Sequence, residues 1–147
     1  MTALDTVIAT LTENVFNSVA EDGGVRVPVW LLETDADELI AITTPIDQDT
    51  DRDMIAVAMR MLLKEKKAVR YAFAMEAWFA LDSQEAPLPS KRPDRQECIF
   101  VSGEDRNGEK QSLMHEIDRS SGAVTLKPPK RIDAAFGRFS NLLSTKQ

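Results

Sequence analysis

The chain is predicted to adopt an α+β fold: an antiparallel β-meander of about four or five strands, two main helices and a short C-terminal helix. Three observations predict it. Residues Ala68–Leu81 form a long run apolar on both faces and broken by one carboxylate, Glu76, as expected of a strand covered on both sides. Asn107-Gly108 and Ser121-Gly122 divide alternating segments downstream, which is hairpin punctuation. Two stretches, 2–20 and 51–66, repeat apolar residues at helical spacing. The 147 residues are enough for one domain, 1–147, with a core.

In chain order, Leu4, Val7, Ile8, Leu11, Val15 and Val19 make a single helical stripe, and Gly23-Gly24 ends that helix. Val25–Glu33 reads as extended, with Pro28 confining it to a strand start or an edge. Leu39–Thr43 reads as a second short strand. The helix from Asp51 to Lys66 has acids at its start and lysines at its end, matching its dipole. Its expected core face is Met54, Ala58, Met61 and Leu62, widened by Ile55 and Val57. After the Ala68–Leu81 strand, Asp82–Arg95 carries three prolines and little apolar content, and so long a connection is either functional or mobile.

A two-residue turn at Asn107-Gly108 pairs Phe100 with His115, Cys98 with Ile117 and Val101 with Met114. The turn at Ser121-Gly122 pairs Ile117 with Leu126 and Arg119 with Val124. Both registers place Cys98, Phe100, Leu113, His115, Ile117, Val124 and Leu126 on one face. Pro128-Pro129 ends the last strand, and Asp133–Leu143 reads as the terminal helix. Helices are expected mainly on one sheet face. Ile99, Val101 and Met114 beside Trp78 are then left on an open apolar face that a symmetric dimer would close.

The net charge of −6 disfavours nucleic-acid binding through phosphates. The charge is uneven: residues 1–53 hold 2 basic and 12 acidic side chains, and residues 54–147 hold 16 and 12. The basic second half leaves room for a local anion site. The single cysteine, Cys98, excludes an internal disulfide and a cysteine zinc cluster. With no apolar run of membrane length and no secretory leader, a cytoplasmic protein without membrane association is expected.

Few residue patterns carry chemistry. The alternating aspartates 47, 49, 51 and 53 open like a calcium loop. Arg52 and Ala58 stand where that loop needs glycine and glutamate, so the run reads as an acidic helix cap. His115, the only histidine, has no signalled nucleophile or orienting acid, and Cys98 reads as packing. Pro93-Asp94 matches the start of a PD-(D/E)xK nuclease motif, but the acid-x-lysine partner is missing at the required spacing. No P-loop, dinucleotide fingerprint or GxSxG elbow is present. No metal or cofactor is expected.

Glu76 is the leading candidate. A carboxylate within an apolar strand must be paired, protonated or functional, and Arg95 or Arg119 are its expected ion-pair partners. It shares a strand face with Arg70, Ala72, Ala74, Trp78 and Ala80. Small alanines permit close approach, and Trp78 offers a stacking surface. In the loop, Lys91, Arg92, Asp94 and Arg95 could grip a phosphate or carboxylate.

The order Met75-Glu76-Ala77-Trp78, then Pro93-Asp94-Arg95-Gln96-Glu97, then a strand and Glu104–Gly108 resembles small uncharacterised proteins of bacteria and their phages. These have a strand ending in EAW and a later PDR-x-E segment. The resemblance covers about Ala68 to Arg119 and brings no activity with it. It implies that Glu76, Trp78, Asp94, Arg95 and Glu97 work as one unit.

The expected ligand- or partner-binding residues are therefore Glu76, Trp78, Arg92, Asp94, Arg95 and Glu97. The expected function is that of a non-enzymatic interaction protein, a homodimer or higher oligomer encoded by a phage or mobile element. It would block a host factor or sequester a small anionic ligand. The alternative is a small hydrolase or nucleotide-handling enzyme with Glu76 as base and Arg95 as anion clamp. A third reading is an assembly component of a larger complex.

Overall fold

The computed structural model describes residues 3–23, 27–44, 49–79, 96–119, 122, 124–132 and 142–143. The elements are α1 (Ala3–Asp22), β1 (Val29–Thr34), β2 (Leu39–Thr43), α2 (Asp49–Glu65), β3 (Ala68–Phe79), β4 (Gln96–Asp105), β5 (Lys110–Asp118), β6 (Thr125–Leu126) and β7 (Lys130–Arg131). The strands form one antiparallel sheet in the order β2-β1-β3-β4-β5-β6, with β7 also paired to β5. The fold is α+β, with more strands than the four or five expected.

The extra strands have a local cause. Pro128 and Pro129 interrupt the return strand rather than end it. β6 pairs Ile117 with Leu126, as the second turn predicts, and β7 pairs Leu113 with Arg131. Between them the register slips by one residue, because prolines donate no ladder hydrogen bond. The predicted terminal helix falls almost wholly outside the described residues, and at Leu142 and Leu143 the chain bends.

The six residues of the α1 stripe are all buried, over Leu31 of β1, Ala72 and Ala74 of β3, and Ile99 and Val101 of β4. Alanine on β3 and glycine on β4 let the helix sit close. A Cβ on Gly103 would lie 3.0 Å from the Tyr71 carbonyl oxygen and 3.1 Å from the Ile8 side chain. Each of the larger aliphatic side chains contributes roughly 1.5–3 kcal/mol of gross transfer energy.

α2 lies on the opposite face. Met59 and Leu63 pack there with Trp30 and Leu32 of β1 and Tyr71 and Phe73 of β3. The Trp30 and Phe73 rings stand 5.1 Å apart, and Trp30 Nε1–H donates to Thr44 Oγ1 at 2.9 Å. Helices therefore cover both faces, because β1 and β3 are apolar on both. Ile99 and Val101 are fully buried under α1, so the open sheet face expected there is already filled.

The first hairpin is shifted by one residue from its expected register. Cys98 pairs with Glu116, Ile99 with His115, Phe100 with Met114 and Val101 with Leu113. Three residues, Arg106, Asn107 and Gly108, make the turn instead of two. Asp105 N–H donates to the Glu109 carbonyl, and Gly108 takes a φ of 91°. The Asp105 carboxylate drives this choice by accepting both Asn107 N–H and Glu109 N–H, at 2.9 and 3.0 Å. A one-residue slip reverses every side chain. Cys98, Phe100 and Met114 consequently cluster on the α2 side, while Leu113, His115 and Ile117 face α1.

Candidate functional site

The register brings three of the predicted residues to one end of the β3–β4 ladder. Trp78 stands opposite Glu97, and Glu76 opposite Ile99. Glu76 and Glu97 are diagonal neighbours on the α1 face, and Glu76 is half-buried. Arg92, Asp94 and Arg95 lie outside the described residues, as does the whole 80–95 connection.

Glu97 is engaged. Arg119, just beyond β5, donates Nε–H to its carboxylate at 2.6 Å and Nη2–H to the Gly23 carbonyl at 3.0 Å. One guanidinium thus ties the end of β4 to the C-terminus of α1, where a cation complements the helix dipole. Arg119, expected as a partner of Glu76, is committed here to Glu97.

His115 and Cys98 do not form a nucleophile pair. They point to opposite sheet faces, and each is almost fully buried. His115 Nδ1 lies 3.1 Å from the Lys127 carbonyl and donates its proton to it, while Nε2 is buried without a partner. The Phe16 ring stands edge-on at 5.7 Å, and burial lowers the imidazole pKa. Burial, followed by the nearby Glu116 carboxylate, pushes the Cys98 thiol up to about 11. It is therefore an inert thiol at neutral pH. His115 shares a face with Glu76 but lies two strands away, with Ile99 between them. That is about 10 Å, too far for direct proton transfer.

The opposite end of the sheet holds polar groups that the sequence reading passed over. Two three-residue turns flank the start of β3. In the first, Thr34 Oγ1 accepts Ala36 N–H and Glu38 N–H, and Asp37 takes a φ of 62°. Asp35 N–H donates to the Lys67 carbonyl, just before β3, and Arg106 N–H to that of Val69 within it, so both turns dock on the start of β3. Between them opens a polar cleft of about 270 Å³, lined by acids from both turns and by Arg70, Arg106 and Asn107. Arg70 is paired with Glu33 across it. Among the described residues, no group of His, Cys, Asp or Glu is arranged to hold a metal ion.

On the α2 side lies a buried carboxylate, Glu104, only 3 % exposed. Its Oε1 accepts Leu143 N–H at 2.9 Å, while its Oε2 is buried without a hydrogen-bond partner. Burial, with the Glu104 charge second, drives the Tyr71 pKa well above its usual value. Lys110 Nζ stands 3.8 Å from Oε2. Glu104 escaped notice because it sits beside a turn, where acids are ordinarily solvated.

The clearest surface feature is on α2. Met54, Val57 and Met61 are 70, 61 and 67 % exposed, and their spacing puts them on one side of the helix. Met54, Ala58 and Met61, expected to be core, face solvent. The residues that do bury are Met59 and Leu63, with Ile55, Ala56 and Leu62 partly covered. Among the described residues, no helix is long and apolar enough to cross a membrane. No protein-family model, no curated protein and no solved structure matches the chain.

Proposed function

We propose that the protein is a non-enzymatic interaction protein that presents the outer side of α2 as its contact face. The carrying observation is the exposed Met54–Val57–Met61 stripe, on the side of the helix opposite Met59 and Leu63. Single exposed apolar residues need no explanation, but a contiguous stripe of large ones marks an interaction site. Methionine suits the role, since its flexible thioether adapts to a partner's shape. Blocking a host factor, as the likeness to bacterial and phage proteins suggests, is one form such contact would take. No catalytic pair among the described side chains supports the hydrolase alternative.

The test is site-specific photo-crosslinking with a benzophenone amino acid in place of Val57. A discrete covalent adduct is expected, and it should disappear when Met54 and Met61 are both changed to lysine. The reading is overturned if position 57 yields no discrete adduct, to itself or to another protein, at any protein concentration.

A further inference from the structure

Building on the reading of α2 as a contact face, we infer that its occupant is a second copy of the chain. The two α2 helices pack antiparallel about a two-fold axis through the Val57–Ala58 step.

The stripe is symmetric about that step. Met54 and Met61 lie equally far from it on either side, so an antiparallel copy sets each Met54 against Met61 of the other copy. Val57 and the exposed Ala58 meet at the centre, where small side chains let the helices approach. Both copies contribute the same patch, as a two-fold contact requires.

Charge selects the direction. The first five residues of α2, Asp49 to Asp53, contain three aspartates and one arginine. The second half carries Arg60 and Lys64 against Glu65, with Lys66 and Lys67 immediately after it. A parallel pair stacks acid on acid and base on base. An antiparallel pair places the acidic start of each helix beside the basic end of the other, bringing the exposed Asp53 near Arg60 of the second copy. The helix dipoles also oppose favourably. The core-facing residues of α2 lie on the other side of the helix, so the sheets sit outermost in the dimer.

The size of the stripe sets the strength. From Met54 to Met61 the helix rises about 10.5 Å, and a contact of two turns falls short of the roughly 1,200 Å² of a stable complex. A micromolar dimer follows.

The experiment is sedimentation equilibrium of the full chain from about 1 to about 500 μM, with cysteine crosslinking to read direction. A monomer–dimer equilibrium is expected, and Met61→Glu should raise its dissociation constant about tenfold or more. Asp53→Arg should weaken the dimer, and adding Arg60→Asp should restore it. Cys98 is fully buried, so an introduced cysteine is the only accessible thiol among the described residues. Val57→Cys should oxidise to a crosslinked dimer. Met54→Cys alone should not, because its counterpart lies about 10 Å along the axis, beyond disulfide reach.

Met54→Cys crosslinking as readily as Val57→Cys would overturn the antiparallel arrangement. A monomer at every concentration overturns self-pairing. If position 57 still forms a discrete adduct with a different protein, the contact-face reading survives and only its occupant changes. If Met54→Ser with Met61→Ser lowers the melting temperature by more than a few degrees at a concentration where the parent chain is monomeric, so that no dimer contributes to stability, the stripe supports the monomer's own core, and both readings fall.

Discussion

Replacing Glu104 with alanine should cost about 2–4 kcal/mol of folding stability. Glu104 accepts the Leu143 amide proton at 2.9 Å in a site only 3 % exposed. Alanine leaves that donor facing an apolar environment, at roughly 1–3 kcal/mol, and removes two buried methylenes worth about 0.8 kcal/mol apiece. The carboxylate's own desolvation, which alanine relieves, brings the total back into the stated range. Glu104→Gln keeps an acceptor for Leu143 and should cost about 1 kcal/mol, since a neutral acceptor is roughly half as strong as a charged one. Lys110→Ala should cost under about 1 kcal/mol, because its ammonium is half exposed and 3.8 Å away. Urea denaturation measures all three, and hydrogen exchange at the Leu143 amide reports the local contact. A Glu104→Ala variant within about 1 kcal/mol of the parent protein, or equal Leu143 exchange in both, would refute a buried acceptor role for Glu104.

Two further perturbations follow from the α1 face. Gly103→Ala should destabilise by roughly 1–3 kcal/mol, because the added Cβ meets the Tyr71 carbonyl oxygen at 3.0 Å, a backbone atom that cannot turn aside; an unchanged denaturation midpoint would refute the close packing of α1 on β4. His115 is held neutral, with its folded pKa below the unfolded value of about 6.5. Above that pH neither state binds the proton. As pH falls below it, the unfolded chain protonates first, so stability drops by up to about 1.4 kcal/mol per pH unit until the folded pKa is reached. Thermal melts between pH 7.5 and 5.0 should therefore show a shallower acid loss in His115→Gln than in the parent, and equal slopes would sink the assignment.

The parts of the fold legible in sequence were those where one pattern admitted one solution. The α1 stripe is single-sided, and all six of its residues bury. The Ala68–Leu81 run is apolar on both faces, and six of the nine β3 residues whose burial is described are buried. The β4–β5 register was not legible, because both faces of those strands are apolar enough to bury. Two turns agreeing on one face looked like corroboration. That agreement is not independent, since both registers run through the same β5 residue, Ile117. A single Asp105 carboxylate, bonding two amides of its own turn, then shifted the pairing by one. Of the candidate site, Glu76, Trp78 and Glu97 converge through pairing alone, whereas Glu104 depends on a chain segment 39 residues away.

The α2 helix shows the harder limit. Its apolar residues form two stripes, Ile55-Met59-Leu62-Leu63 and Met54-Val57-Ala58-Met61, and periodicity weights them alike. Which one buries depends on the partner surface that β1 and β3 supply, through Trp30, Leu32, Tyr71 and Phe73. A helix needs only one apolar side to close that surface. The second stripe adds nothing to the monomer's core, and it exposes two methionines and a valine to water. The misassigned face is therefore the informative one. Local pattern and monomer packing disagree there, and such disagreement is expected where a sequence serves something beyond its own fold.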